Sequence, residues 1–440
     1  MSHLPTLAIV LLVAAAAARA QAPPRVVRLD PPHLATDLDA ASVQRLVVRF
    51  DAAMDPGVYG LCGGGPSFPS VAAPTWDDAH TFGLDVTLAP DHVYAMDLAC
   101  AESAGFRSAA GQRLRPLPWR IATKGPNLPD GAARAAVDRL FVLLRERYSY
   151  RDRLGIDWSA LDRAHRDQLE GCRNGAALAL RIGDLLTTAQ DVHVTVQWQD
   201  ATLPTFRRDV VANFDARALQ AALPDLVKIG RIGLSARTDD GIGYLFVGSF
   251  AREERDDFER VLDVLRTRLQ DCKALVLDLR TNGGGDEQLA QRLAACFVDG
   301  DVVYAAHRLC DPRAGDGFGE RQDRRLRGND APDRFPGPVA VLTGPLNMSS
   351  CEAFLLMMKQ SPRALLVGET SYGSSGNPQP HVLLPGLVVT LPSWQALRPD
   401  GSCFEGEGIT PHLHVATQPA DFAAGDPVLE AALLRLRGGR

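Results

Sequence analysis

The sequence predicts a multidomain protein built from three successive parts: an all-β domain, a small helical domain and an α/β core. The first observation is the length of 440 residues, which exceeds what one ordinary hydrophobic core organises. The second is a series of short apolar or alternating runs over residues 25–124, separated by turn residues, which suggests a sandwich. The third is the alternation of strands and helices from about residue 240, typical of a mainly parallel sheet with helices on both faces.

The predicted boundaries follow changes in the hydrophobic pattern. The β-domain takes residues 25–124, and the helical domain takes residues 130–200 after a short linker. The α/β core takes residues 201–418, and residues 419–440 are left as a C-terminal tail. Residues 309–336 are rich in Arg, Asp and Gly and have no periodicity, so we expect a long loop there.

Two local patterns predict individual elements. In the helical domain, apolar residues recur at the i, i+3, i+4, i+7 spacing of one helix face; these are Val137, Leu140, Phe141 and Leu144. Near the end of the core, two apolar runs flank Pro385-Gly386, which predicts a β-hairpin over residues 381–391.

The N-terminus predicts an export signal. Residues 5–19 form a short apolar run, and the small-residue pattern Ala18-Arg19-Ala20 ends it. The run is too short and too rich in alanine to span a membrane comfortably. We therefore expect a signal peptide over residues 1–20, no membrane-spanning segment after it, and a periplasmic or secreted protein.

The chain has eight cysteines, an even number that fits disulfides in an exported protein. By location, Cys62 with Cys100 and Cys296 with Cys310 are the pairs most readily formed. No cysteine pair has zinc-finger spacing, and His412-Leu413-His414 has no third ligand nearby in the sequence. We therefore expect neither a metal nor another cofactor.

The charge pattern restricts partners and chemistry. A formal net charge of -6 argues against nucleic acid, which calls for a basic face. Lysine is rare, so a catalytic lysine would have to be Lys124, Lys228, Lys273 or Lys359.

Ser349 is the first candidate for chemistry. An apolar strand over residues 339–342 leads through a turn into Ser349 and an apolar helix. A serine there lies beside free N–H groups that stabilise negative charge, which acyl transfer requires. An N-cap serine fits the same pattern, because Ser is a preferred cap.

Three further stretches could complete such a site, and each has a simpler interpretation. The glycines 283–285 follow a buried strand; no Lys-Ser/Thr follows them, which excludes a P-loop and leaves a tight turn or an oxyanion strut. His193 follows a predicted helix, next to Asp191, and is either an ordinary surface or core histidine or a catalytic base. Glu405, in a glycine-rich loop with Glu407, is either a solvated turn residue or a group that orients a histidine.

Taken together, these stretches resemble the C-terminal-processing and tricorn-type serine peptidases over about residues 130–416. Five pieces occur in the family's order: LLTTAQDVH at 185–193, ALVLDLRTNGGG at 274–285, VLTGPLNMSSCEAF at 341–354, LVGETSYG at 366–373 and EGEGITP at 405–411. The resemblance implies an α/β core related to the crotonase and Clp peptidase fold.

The resemblance also implies roles for individual residues. One branch of the family uses a lysine 25 residues after the serine, and here that position is Ser374. The tricorn branch instead uses a histidine from the helical region and a later glutamate, which match His193 and Glu405 here. Ser349 would be the nucleophile, His193 the base and Glu405 the group that orients it, with Glu407 in reserve. The oxyanion hole would be formed by the N–H groups of Ser350 and Gly285.

Two resemblances concern the remaining modules. Residues 25–124 resemble bacterial Ig-like domains, which usually space or dock other domains. Dyad-type family members carry a PDZ module before the core, but the interval between His193 and the strand at residue 242 is too short for one.

The function expected from the sequence is an exported serine peptidase that hydrolyses peptide bonds in peptides or proteins. The alternative is a non-catalytic ligand-binding or carrier protein on the same fold. A crotonase-type acyl-CoA enzyme fits poorly, because an exported protein would meet little coenzyme A.

Overall fold

The computed structural model describes residues 22–100, 105–328 and 334–438. The predicted signal peptide lies outside these residues. Within the described ranges, no helix has the length and apolar character needed to cross a membrane.

The N-terminal region consists of strands arranged in two four-stranded sheets. The sheets have the orders β1-β3-β6-β5 and β2-β8-β7-β4 and share one apolar core that includes Phe82 and Trp119. In β3 the buried residues alternate with more exposed ones, as the two-residue period of a strand requires. The strands are β1 (Val26–Asp30), β2 (Ala35–Leu38), β3 (Arg45–Phe50), β4 (Leu61–Cys62), β5 (Ser70–Asp78), β6 (Thr81–Thr87), β7 (Val93–Leu98) and β8 (Leu117–Thr123).

One of the two expected cysteine pairs is formed. Cys62 and Cys100 are joined by a disulfide within the N-terminal region. The pairing of Cys296 with Cys310 is wrong, because Cys296 Sγ lies 3.6 Å from Arg292 O and Cys310 Sγ lies 3.3 Å from Arg147 O.

Three helices follow: α1 (Ala132–Glu146), α2 (Trp158–Glu170) and α3 (Gly175–Leu186). The predicted apolar face of α1 is buried. Asn174 caps α3 by accepting a hydrogen bond from Ala177 N at 2.9 Å. Most of α3 is buried, because it packs against the N-terminal strands on one side and the next hairpin on the other.

The remaining elements build the other three sheets of the described structure. In chain order they are β9 (Thr195–Trp198), β10 (Ala201–Pro204), α4 (Ala216–Ala222), β11 (Val227–Ile229), β12 (Gly233–Arg237), β13 (Ile242–Val247), α5 (Arg255–Arg268), β14 (Ala274–Asp278), α6 (Glu287–Ala294), β15 (Asp301–Leu309), β16 (Gln322–Arg327), β17 (Val339–Thr343), α7 (Ser350–Met358), β18 (Ala364–Gly368), β19 (Pro378–Leu384), β20 (Leu387–Pro392), β21 (Trp394–Leu397), β22 (Leu413–His414) and α8 (Pro427–Leu436).

The largest sheet has seven strands in the order β11-β12-β13-β14-β17-β18-β22. The pairings from β13 to β22 are parallel, while the β11–β12 and β12–β13 pairings are antiparallel. Every residue of β14 and β17 is buried, as expected for central strands with both faces covered. Helices α5, α6 and α7 pack on one face, and α4 and α8 pack on the other.

Three sequence-based boundaries need correction. Residues 322–327, placed in a long loop, form strand β16 paired with β15. Residues 427–436, placed in a tail, form α8 against the central sheet. The division at residue 201 passes through a sheet, because β9 and β10 pair with the predicted hairpin β19–β20 in the order β10-β9-β20-β19.

The N-terminal region is packed directly against the helical part. Trp198 Nε1 donates to Asp91 O at 2.9 Å, and Asn174 Nδ2 donates to Asp37 Oδ1 at 2.6 Å. Val93 and Ala122 belong to the same apolar cluster as α3. The helix that precedes His193 is therefore held in part by the N-terminal strands.

Candidate active site

Ser349 lies at the turn between β17 and α7 with φ 57° and ψ −125°. A positive φ at a non-glycine residue costs free energy and persists only where the surroundings enforce it. The Ser349 side chain makes no capping hydrogen bond to α7, although the residue occupies the N-cap position. The N-cap interpretation therefore does not explain this serine.

Asn347 holds that turn against the glycine loop. Its Oδ1 accepts from Gly344 N at 2.8 Å, and its Nδ2 donates to Asn282 O at 3.2 Å. Asn347 O accepts a hydrogen bond from Tyr372 N at 2.8 Å. The side chain is completely buried, and the side chain and backbone of Asn347 together join the turn, the glycine loop and the segment at Tyr372. Sequence reasoning missed Asn347; the available signal was a polar residue within an otherwise apolar turn.

The glycine loop approaches the start of α7 closely. Gly284 and Gly285 have φ values of 98° and 136°, and a Cβ at Gly285 would lie 2.3 Å from the carbonyl of Phe250. Ser350 Oγ donates to Gly285 O at 2.5 Å, which joins the loop to the helix. Only glycine fits at these two positions.

His193 lies in the short segment between α3 and β9. Its backbone N–H donates to Asp191 Oδ1 at 2.8 Å, and the exposed fraction of its side chain is 12%. Its Nδ1 lies 2.8 Å from Ser374 Oγ. Ser374 O in turn accepts a hydrogen bond from Ser349 N at 2.8 Å. The imidazole therefore contacts Ser374, whose backbone carbonyl is hydrogen-bonded to Ser349.

Asp191 is the carboxylate nearest to the imidazole. Its Oδ1 lies 4.0 Å from His193 Nδ1, and its Oδ2 accepts from Tyr148 Oη at 3.0 Å. Both side chains are almost fully buried. In the sequence, Asp191 was recognised as a neighbour of His193. Tyr148 was missed, because it lies 45 positions before His193 and belongs to no recognisable motif.

Glu405 is buried at the same place, but its observed hydrogen bond goes to the neighbouring chain segment. Its Oε2 accepts from Ser375 N at 2.8 Å. A direct hydrogen bond between Glu405 and His193 is not made among the described residues. Glu407 points away, because its side chain is 68% exposed and pairs with Arg398 at 2.9 Å.

Burial sets the protonation of His193, Asp191 and Glu405. It lowers the pKa of the His193 imidazole, and the charge of Asp191 opposes that shift. It raises the pKa of Asp191, against the favourable charge of His193. Burial also raises the pKa of Glu405, and the proximity of Asp191 adds to the effect. A neutral imidazole beside carboxyl groups is what proton abstraction requires.

Glu352, on the first turn of α7, supports the segment that bears Ser374. Its carboxylate accepts from Ser371 Oγ at 2.5 Å, Gly373 N at 2.7 Å and Ser374 N at 3.0 Å. Burial raises the pKa of Glu352 to about 7 despite these hydrogen bonds.

The described residues contain no group of three or more His, Cys, Asp or Glu side chains placed to hold a metal ion. His412, considered as a ligand with His414, instead accepts a hydrogen bond from Leu366 N through Nδ1 at 3.0 Å.

Comparison with known proteins finds similar peptidases. Residues 241–415 match the model of Peptidase family S41. Carboxy-terminal processing protease CtpB of Bacillus subtilis (strain 168) is 26% identical over 193 residues, which are 44% of this chain and 37% of CtpB. Carboxyl-terminal-processing peptidase 2, chloroplastic, of Arabidopsis thaliana is 29% identical over 39% of this chain and 31% of its own length.

Solved structures share the fold over a longer stretch. A putative peptidase from Parabacteroides merdae ATCC 43184 superposes with a TM-score of 0.59 and 24% identity, covering 69% of this chain and 96% of that one. Mature CPAF superposes with a TM-score of 0.51 and 12% identity, covering 70% and 97%.

The chain spans little more than a third of the length of the curated relatives CtpB and a probable CtpA-like serine protease. The matched region nevertheless contains Ser349, the glycine loop, Ser374 and Glu405, while His193 precedes it. The family match and these relatives show that residues 241–415 are similar to Peptidase family S41.

Proposed function

We propose that the protein is a serine peptidase in which Ser349 is the nucleophile and His193 the general base. The observation that carries this proposal is the pair of contacts at Ser374, whose Oγ meets His193 Nδ1 and whose O meets Ser349 N, each at 2.8 Å. These contacts bring two segments 156 positions apart in the sequence to one point. The strained backbone and uncapped side chain of Ser349 support the same role.

The proposed reaction follows from the donors around Ser349. Its Oγ attacks the carbonyl carbon of the scissile peptide bond while its proton passes to His193. The N–H groups of Ser350 and Gly285 donate to the oxyanion; within the described residues neither one has another acceptor. The imidazolium then protonates the leaving amine, and water hydrolyses the acyl-enzyme by the reverse sequence.

The orientation of the imidazole involves two carboxylates in this proposal. A hydrogen bond from Nδ1–H to Ser374 Oγ leaves Nε2 as the basic nitrogen. Asp191, held by Tyr148, stabilises the imidazolium that forms during the reaction. Glu405, the orienting residue expected from the family resemblance, would act through the 374–375 backbone rather than by direct contact.

Peptides or proteins are the proposed substrates, since the relatives in the comparison are named as processing proteases and peptidases. We further propose export to the periplasm or outside the cell, and an Ig-like character for residues 25–124, which would serve as a docking module. The core would share the crotonase and Clp peptidase architecture.

Hydrolysis of a complex peptide mixture, followed by mass spectrometry, tests the proposal. The wild type is expected to cut peptides, and Ser349→Ala is expected to remove all cleavage while the circular dichroism spectrum is unchanged. Ser70→Ala, on the exposed face of β5, is the matched control and should retain full activity. Full cleavage by Ser349→Ala would reject the assignment, and absence of cleavage by the wild type would favour the carrier alternative.

A further inference from the structure

A cavity of about 560 Å³ lies between the N-terminal strands β4, β7 and β8 and the hairpin β9–β10. This volume is within the range of small-molecule sites. The cavity shares no lining residue with the Ser349 site, and the Cys62–Cys100 disulfide forms part of its wall.

Arg120, on β8, supplies a buried positive charge to the cavity. The residue is 9% exposed, and its backbone N–H donates to His33 Nδ1 at 3.1 Å. Its guanidinium is attracted by the charges of Asp97 and Asp184 at longer range, and it makes no hydrogen bond to either side chain. Burial accordingly lowers the pKa of Arg120. A buried guanidinium without a bonded partner is costly unless a ligand or water satisfies it.

Asp97, on β7, supplies the opposite charge to the same cavity. The β7–β8 register pairs Arg120 with Ala95, so Asp97 lies diagonally from Arg120 on the same face of the sheet. Within the described residues no ion pair joins the two side chains. Burial raises the pKa of the half-buried Asp97 carboxyl, while the charges of Arg207 and Arg120 oppose that shift. The exposed Arg207 lines the edge of the cavity.

We propose that this cavity binds a small zwitterion, with its carboxylate on Arg120 and its ammonium group on Asp97. A free amino acid or a short peptide has this chemistry. A plain anion would satisfy Arg120 but leave the Asp97 carboxylate facing like charge, and a plain cation would leave Arg120 unpaired. The site is separate from Ser349, and the proposal does not depend on the peptidase activity.

Isothermal titration of the full chain carrying Ser349→Ala tests the chemistry, because that substitution prevents consumption of the probe. Alanyl-alanine is expected to bind, and free alanine distinguishes an amino-acid site from a peptide site. N-acetyl-alanyl-alanine and alanyl-alanine amide each remove one charge, so each is expected to bind at least about tenfold more weakly. Equal binding of the capped and free dipeptides would overturn the proposal, as would the absence of binding by both alanine and alanyl-alanine.

Substitutions locate the binding. Arg120→Gln is expected to weaken alanyl-alanine binding at least about tenfold. Arg49→Gln, at an exposed position of β3, is the matched control and should leave binding unchanged. Asp97→Asn keeps the test valid if Arg120→Gln does not fold: it should weaken the binding of alanyl-alanine and should not weaken the binding of the N-acetyl analogue. Binding that survives both cavity substitutions would lie elsewhere and would overturn the proposal.

Discussion

Glu352 Oε2 accepts a hydrogen bond from Ser374 N at 3.0 Å, so a buried carboxylate on α7 fixes the residue whose hydroxyl meets His193. The same carboxylate holds Ser371 and Gly373. Because Ser349 is the N-cap residue of α7, the start of one helix positions both the candidate nucleophile and the support of its base.

The first prediction concerns stability and Glu352. Its pKa is 4.5 in an ordinary environment and about 7 in the folded protein, so between these values the unfolded chain has lost a proton that the folded protein keeps. The free energy of unfolding should therefore fall as pH rises from about 4.5 to about 7, by up to about 3 kcal/mol from this group. Urea denaturation at a series of pH values measures the change.

Glu352→Gln provides the comparison for that measurement. The amide does not titrate, so this part of the pH dependence should disappear even if overall stability is lower. An unchanged slope in Glu352→Gln would show that other groups cause the pH dependence.

The second prediction concerns Ser374. Ser374→Ala removes the hydroxyl at His193 Nδ1 while it keeps the backbone contact to Ser349, so the base loses its orientation. We expect kcat to fall about tenfold to a hundredfold with little change in KM. Ser375→Ala is the matched control, because Ser375 meets Glu405 through its backbone N–H. Equal kcat values for the two variants would argue against a role for the Ser374 hydroxyl.

The third prediction concerns the pH profile of kcat/KM, which reports groups of the free enzyme. In the proposed mechanism His193 acts in its neutral form, and burial lowers its pKa below 6.5. Activity should therefore persist as pH falls through 6.5 and be lost only at lower pH. An acid limb with a midpoint well above 6.5 would be inconsistent with a buried imidazole as the base.

The fourth prediction separates the two carboxylates. The charge of Asp191 raises the pKa of His193, whereas Glu405 has its hydrogen bond on Ser375 N. Asp191→Asn should move the acid limb to still lower pH and reduce kcat, and Glu405→Gln should move the limb less. A larger shift with Glu405→Gln would assign the direct electrostatic role to Glu405.

The sequence predicted the parallel sheet, because β14 and β17 are uninterrupted apolar runs between periodic helices. It did not predict β16, whose mostly charged segment Gln322–Arg327 resembles a loop and becomes a strand only by pairing with β15. Helix α8 was missed although its start carries a local signal: Asp426 caps it, with Pro427 at the first helical position.

The same contrast holds for the site. Ser349 and His193 lie in motifs that the sequence displays, and the structure brings their segments together. Ser374 was recognised only as the place where a lysine is missing, and its contact with His193 depends on how β9 and the 371–376 segment pack. Tyr148 and Asn347 act through tertiary hydrogen bonds that no local pattern encodes.

The most direct test of the account is the rate at which a fluorophosphonate probe labels Ser349. We predict that mass spectrometry finds the label on Ser349 in the wild type, and that His193→Gln slows labelling by about a hundredfold or more. His414→Gln, at an exposed position of β22, should leave the rate unchanged. Equal labelling rates for the wild type and His193→Gln would contradict the account, because the serine would then be activated without this histidine.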